Sequence, residues 1–102
     1  MTWVKLDDKF WANPKVLRIG NEAAGAFARM LSHCGDQMTD GLVPAETAAF
    51  IARPKVIEKL TESGFLVPEG DDLKIPDYLE FNPSREQIEA KREADRKRRN
   101  PQ

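Results

Sequence analysis

The sequence has few of the residues that catalytic and metal-binding sites require. Among its 102 residues it has one cysteine, Cys34, and one histidine, His33. A single cysteine cannot form an internal disulfide, and a chain without disulfides is typical of a reducing compartment. The N-terminus carries charges where a signal peptide is apolar, and no apolar run approaches the roughly 20 residues of a membrane span. We therefore expect a soluble cytoplasmic protein with no membrane partner.

The few reactive side chains do not form a recognisable catalytic or metal site. His33 shares the Arg29 side of its predicted helix, so we expect it to be half-exposed, and Cys34 lies on an apolar stripe, so we expect a core residue. A structural zinc site would need four ligands. The pairs Asp7-Asp8 and Asp71-Asp72 could bind a divalent cation, but no second cluster completes either, and a turn is the favoured interpretation. The sequence therefore predicts no enzyme, no catalytic residue, no metal and no cofactor.

Charge is distributed unevenly along a chain that has room for one domain. Residues 1–84 carry nine basic and 13 acidic residues, a net charge of −4. Residues 85–102 carry seven basic and four acidic residues, a net charge of +3. A local field of this kind, and not the overall charge of −1, determines whether a polyanion is attracted.

The first half of the sequence predicts a short strand and two helices. Residues 3–6 alternate and are rich in β-formers, which indicates a strand. Asn13 and Pro14 are typical of a helix start, and Gly20 ends that helix after about one turn. A longer helix begins at Asn21 with an apolar stripe at i, i+3, i+7 and i+10 and ends at Gly35. The stripe consists of Ala24, Phe27, Leu31 and Cys34.

The second half predicts two further helices followed by a hairpin. After the turn Asp40-Gly41 and a brief extended pair Leu42-Val43, Pro44 begins a short helix. Arg53-Pro54 begins another, which runs through residues 55–63 to Gly64. A hairpin follows, in which Phe65 and Val67 share an inner face with Leu73 and Ile75 across the loop 68–72.

This order of elements predicts an α+β, mainly α, winged helix-turn-helix fold with a small β-hairpin wing and a charged C-terminal helix. Residues 1–83 would form the winged-helix domain. Residues 84–102 would form a basic helix or tail that is partly disordered. The helix over 55–63 would occupy the recognition position, and residues 69–72 would form the tip of the wing.

The C-terminal segment has a helix start but little to bury. Ser84 and Gln87 match a capping box, and Glu93–Lys97 and Asp95–Arg99 are predicted i,i+4 ion pairs. Because Ile88 is the segment's single large apolar residue, we expect order to about Ile88 and fraying beyond it.

Basic residues on the recognition helix, the wing and the tail are the candidate DNA contacts. Glu58 and Glu62 on the recognition helix and the acidic wing tip oppose DNA binding, whereas the tail favours it. A solvated, soluble terminus is the alternative interpretation of the tail. The predicted contacts with double-stranded DNA are Arg53, Lys55, Lys59, Lys74, Lys91, Arg92, Arg96, Lys97, Arg98 and Arg99.

Several stretches together resemble a group of phage and prophage proteins. These stretches are WVKLDDKFWANPKVL, TDGLVP and DYLEFNPSREQIEAKR with its basic continuation. The group is common in actinobacterial phages and is similar to the winged-helix N-terminal domains of replisome-organiser or DnaD-like replication proteins. The resemblance covers residues 3–99 and implies a role in replication initiation or transcriptional control inside a bacterial host cell. Many members continue into a linker and a further domain, so we expect this chain not to perform that domain's role by itself.

Two alternatives stay open from the sequence. The fold could serve as a protein-interaction module that binds a host or phage protein, including a protein of the replication machinery. A homodimer is common among helix-turn-helix proteins. Trp3, Phe10 and Trp11 could cover the core or form a dimer face, and core cover is the favoured interpretation.

Overall fold

A computed structural model describes residues 3–99 of the chain as a mainly helical α+β fold with a small antiparallel sheet. A 3-10 helix over Phe10–Ala12 precedes five α-helices and three strands. In chain order these are α1 (Pro14–Gln37), β1 (Leu42–Val43), α2 (Ala45–Ile51), α3 (Pro54–Glu62), β2 (Val67–Glu69), β3 (Asp72–Lys74), α4 (Tyr78–Phe81) and α5 (Arg85–Arg99).

The N-terminal strand predicted at residues 3–6 is wrong. The sheet has the order β1–β3–β2, and residues 3–6 are not part of it. Instead the backbone N–H of Lys5 donates to the side-chain oxygen of Asn82 at 2.8 Å. Val4 packs on Gly35, where a Cβ would overlap the Val4 side chain. This segment is therefore held by a buried amide and by helix packing, neither of which its alternation pattern indicates.

The helical interpretation of residues 13–35 is confirmed except at its end. The Asn13 side chain accepts from the N–H of Lys15 at 2.8 Å, and Gly20 interrupts the helix with φ 84° and ψ 171°. Gly35 does not end α1, because it lies inside the helix beneath Val4. Met38, in the left-handed conformation with φ 53°, ends it instead.

The core lies between α1, α3 and the sheet. Met30 and Leu60 from the two helices, Val43 from β1 and Leu66 just before β2 are fully buried. Close packing of such apolar side chains is the main stabilising contribution in a domain of this size. The predicted stripe of α1 is confirmed at Phe27, Leu31 and Cys34, which are buried, and Ala24 packs at its margin.

The hairpin is confirmed, and Phe65 packs on Phe27 as its predicted inner position requires, but the inner face of β2 itself is shifted by one residue from Val67. Val67 lies opposite Lys74, and Pro68 lies opposite Leu73. Leu66, one residue before β2, is fully buried, and Ile75, one residue after β3, is buried with it. The N–H groups of residues 65 and 66 both donate to the carbonyl of Leu60, and this tight helix end turns Leu66 inward. The connecting loop is also shorter than predicted, because both strands extend closer to the turn.

The capping box before α5 is confirmed by two hydrogen bonds. The N–H of Gln87 donates to the Ser84 hydroxyl at 3.1 Å, and the N–H of Ser84 donates to the Gln87 side chain at 2.8 Å. A third contact, from the N–H of Arg85 to Asp40 at 2.7 Å, joins the start of α5 to the loop before β1. Ile88 is the buried residue of α5, as expected.

The predicted ion pairs of α5 are wrong in spacing. Arg96 pairs with Glu93 and Arg98 pairs with Asp95, both at i,i+3. Both spacings bring side chains together on a helix, so sequence alone does not choose between them. Helical geometry continues to Arg99, and the boundary at residue 84 and the fraying beyond Ile88 stay predictions that amide hydrogen exchange can test.

Candidate nucleic-acid interface

The first predicted surface lies at the start and on the outer side of α3. Arg53 is the residue before the helix, and Lys55 and Lys59 lie one turn apart, with all three side chains exposed. Glu58 and Glu62 are exposed on the same helix. The structure thus keeps the mixed charge that the sequence predicts for this surface.

Arg53 is engaged by α1 through a two-pronged ion pair. Its Nε and Nη2 atoms donate to the two carboxylate oxygens of Glu22, each at 2.8 Å. This hydrogen bonding and the opposite charge lower the pKa of Glu22 and raise the pKa of Arg53. Both side chains remain largely exposed, so another anion could replace Glu22 as the partner of Arg53 at little cost in free energy. Sequence analysis missed Glu22 because 31 positions separate the partners.

One carboxylate of the acidic hairpin turn also has a structural role. The Asp72 carboxylate accepts from the N–H of Ala45 at 2.9 Å and so satisfies the start of α2, while it keeps its negative charge. Glu69 and Asp71 are exposed at the turn. Lys74 lies in the central strand and is half-buried, away from the turn itself. Three carboxylates, with Lys74 set back from them, therefore define the charge of this edge.

The second predicted surface is the exposed length of α5. Beyond Ile88 every residue to Arg99 is exposed except Asp95, which is half-buried. Arg92, Arg96 and Arg99 lie at i, i+4 and i+7 and line one surface depression together with Asp95. Lys91, Lys97 and Arg98 point to other sides of the helix by the same periodicity. The predicted basic residues therefore occupy three places, namely α3 with Arg53, strand β3 and α5.

The side chains with reactive groups lie apart from these surfaces. Cys34 is fully buried and its thiol lies 3.6 Å from the carbonyl oxygen of Leu42, and burial raises the pKa of the thiol. His33 is half-buried, and its Nδ1 atom has no hydrogen-bond partner among the described residues. Over residues 3–99 no three His, Cys, Asp or Glu side chains gather where they could hold a metal ion.

Large apolar side chains are exposed in numbers that the sequence did not predict. Phe10 covers the core as expected, stacking on Phe27 with ring centroids 6.0 Å apart. Trp3 and Trp11 do not cover it, being 81% and 80% exposed. Others with half or nearly half of their surface exposed, or more, are Leu6, Leu17, Phe50, Leu79 and Phe81. Of these residues, Leu6 and Phe81 line one groove together.

None of the helices described in the structure has the length and apolar character needed to cross a membrane. No protein-family model, curated protein or solved structure matches the chain.

Proposed function

We propose that this chain is a winged-helix DNA-binding protein of phage origin that acts in replication initiation or transcriptional control. The order of α2, α3 and the β2–β3 hairpin supports a helix-turn-helix with a wing, and the pairing of β1 with β3 supports the compact sheet of such domains. The phage origin rests on the sequence resemblance. The observation that carries DNA binding is α5, which buries Ile88 and exposes six lysine and arginine side chains beyond it.

Two surfaces would contact the DNA, one on α3 and one on α5. Lys55 and Lys59 on α3, with Arg53 at its start, would contact base edges and adjacent phosphates and so supply whatever sequence preference exists. The basic residues of α5 would contact phosphates without regard to sequence. Titration of a labelled random-sequence duplex by fluorescence anisotropy at moderate salt tests the proposal, and absence of binding there would overturn it.

The ion pair between Glu22 and Arg53 predicts that a substitution which breaks a salt bridge will raise the affinity for DNA. In the complex, Glu22 would compete with phosphate for the Arg53 guanidinium. We expect Glu22→Gln to tighten duplex binding by about two- to fivefold and to steepen the salt dependence by about one phosphate contact.

Glu80→Gln is the matched control, because it removes the same charge from α4 and leaves Arg53 paired. It should leave the affinity within about twofold of the parent value. Weaker binding of the Glu22→Gln chain would instead mean that Glu22 orients Arg53 for its contact.

A protein-interaction module is the second candidate, favoured by the exposed pair Leu6 and Phe81, which line one groove, and by the acidic turn at Glu69 and Asp71. Such surfaces attract proteins more readily than a phosphate backbone. If duplex binding is absent at moderate salt while a specific host or phage protein, for example one of the replication machinery, is bound through these surfaces, the second function replaces the first.

A further inference from the structure

An apolar groove lies between the N-terminal segment, α1 and α4. Its volume is about 220 Å³, and its floor is formed by the core residues Phe27, Leu31 and Tyr78. Leu6 and Phe81 line it as well. Both keep about half of their surface exposed, at 47% and 56%, although each lies beside a concave apolar surface.

A buried amide joins two walls of the groove. Asn82, which is only 6% exposed, accepts from the N–H of Lys5 at 2.8 Å and donates to the carbonyl of Tyr78 at 3.1 Å. These two hydrogen bonds tie the N-terminal segment to the end of α4. The groove therefore exists before any ligand binds, which lowers the cost of binding.

Size and charge together define the ligand. The volume lies below the roughly 300–1,000 Å³ of small-molecule sites, so it suits one large apolar side chain better than a metabolite. The charged residues of the lining are Asp7, Asp77 and Lys5, two carboxylates against one ammonium group. Aromatic anchors in desolvated pockets carry much of the binding energy at protein interfaces, and charge at the rim selects the partner.

We propose that this groove binds a protein partner through a peptide segment in which one large apolar side chain, such as tryptophan, is flanked by lysine or arginine. The partner's apolar side chain would lie on Phe27 and Tyr78 between Leu6 and Phe81, and its basic neighbours would face Asp7 and Asp77. This site is separate from the proposed DNA surfaces on α3 and α5, so its test does not depend on DNA binding.

The probe is a capped pentapeptide with a central tryptophan and two lysines on each side, titrated into the ¹⁵N-labelled full chain. We expect saturable shifts of the backbone amides of Leu6, Tyr78 and Phe81. A peptide with glutamates in place of the lysines, and one with serine in place of the tryptophan, should each bind at least about tenfold more weakly.

Two substitutions on α4 form a matched pair. Phe81→Ser removes a half-exposed side chain that lines the groove, and Leu79→Ser removes one of similar exposure, 50%, that does not. Phe81→Ser should weaken peptide binding about tenfold and Leu79→Ser should leave it unchanged. Leu6→Ser on the opposite wall should repeat the effect of Phe81→Ser.

The proposal is overturned if the peptide causes no saturable shifts, if the glutamate or serine peptide binds equally well, or if both α4 variants behave alike. It is also overturned if the groove amides shift with protein concentration alone and sedimentation shows a dimer that Phe81→Ser abolishes. In that case the occupant is a second copy of this chain.

Discussion

Ending the chain at Ile88 is expected to remove most of its affinity for duplex DNA and most of the salt dependence of that affinity. The truncation deletes six basic residues, which are Lys91, Arg92, Arg96, Lys97, Arg98 and Arg99. If all six neutralise phosphates, they contribute about −5 to the slope of log K against log salt, because each contact contributes about −0.9. The affinity due to α5 would then fall by about 10³ between 50 and 200 mM salt.

The DNA affinity of the truncated chain should show only the salt dependence that is due to the α3 surface. Lys55 and Lys59 provide two contacts and Arg53, which Glu22 pairs, at most a third, so the slope should lie between about −1.8 and −2.7. Anisotropy titrations of one duplex at four salt concentrations measure both slopes. Folding should be unaffected because Ile88, the buried residue of α5, is retained.

Substitution of the same six residues by glutamine is the matched control for the truncation. Glutamine has a helix propensity close to that of lysine and arginine, so this variant keeps the length of α5 while it removes the positive charge and the two ion pairs of Arg96 and Arg98. It should reproduce the slope of the truncated chain. Equal slopes for the parent chain and both variants would show that α5 is a solvated terminus, the alternative that the sequence left open.

Leu60→Ala is expected to cost the largest share of folding free energy of any single truncation on α3. Leu60 is fully buried, and its carbonyl accepts the two N–H groups that turn the chain toward β2. Leucine-to-alanine changes at such sites cost about 2–5 kcal/mol, because the apolar contacts are lost and the cavity closes only in part. Small domains have a free energy of unfolding of about 5–15 kcal/mol, so this substitution would remove a large part of it.

Urea denaturation followed by far-ultraviolet circular dichroism, which reports the loss of the helices, measures this cost, and Ile57→Ala is its control. Ile57 lies on the same helix but is only half-buried at the margin of the core, so its truncation should cost clearly less. Equal costs for the two variants, or a cost below about 1 kcal/mol for Leu60→Ala, would contradict the position of α3 against α1.

The features that sequence predicted well are those that neighbouring residues determine. Asn13 and Pro14 specify the start of α1, Gly20 its interruption, and Ser84 with Gln87 the start of α5. Each depends on hydrogen bonds or dihedral angles within about four residues. The mainly helical α+β class follows from the same local signals.

The features that sequence missed depend on distant contacts. The Glu22–Arg53 pair, the cap that Asp72 provides to α2, and the tie between Lys5 and Asn82 join residues separated by 31, 27 and 77 positions. The alternation at residues 3–6 has the period of a strand, but a strand requires a hydrogen-bonding partner that alternation cannot supply. For the same reason the candidate residues on α3 could be named from sequence, whereas the ion pair between Arg53 and Glu22 could not.

The central claim is that α3 reads DNA while α5 holds its backbone, and a selection of bound duplexes from a random-sequence pool tests it most directly. The parent chain should enrich a short motif, and a chain with Lys55→Ala and Lys59→Ala should still bind the pool through α5 but enrich no motif. Palindromy in the motif would further indicate a dimer. Recovery of the same motif by the double variant, or failure of the parent chain to retain any duplex, would contradict the claim.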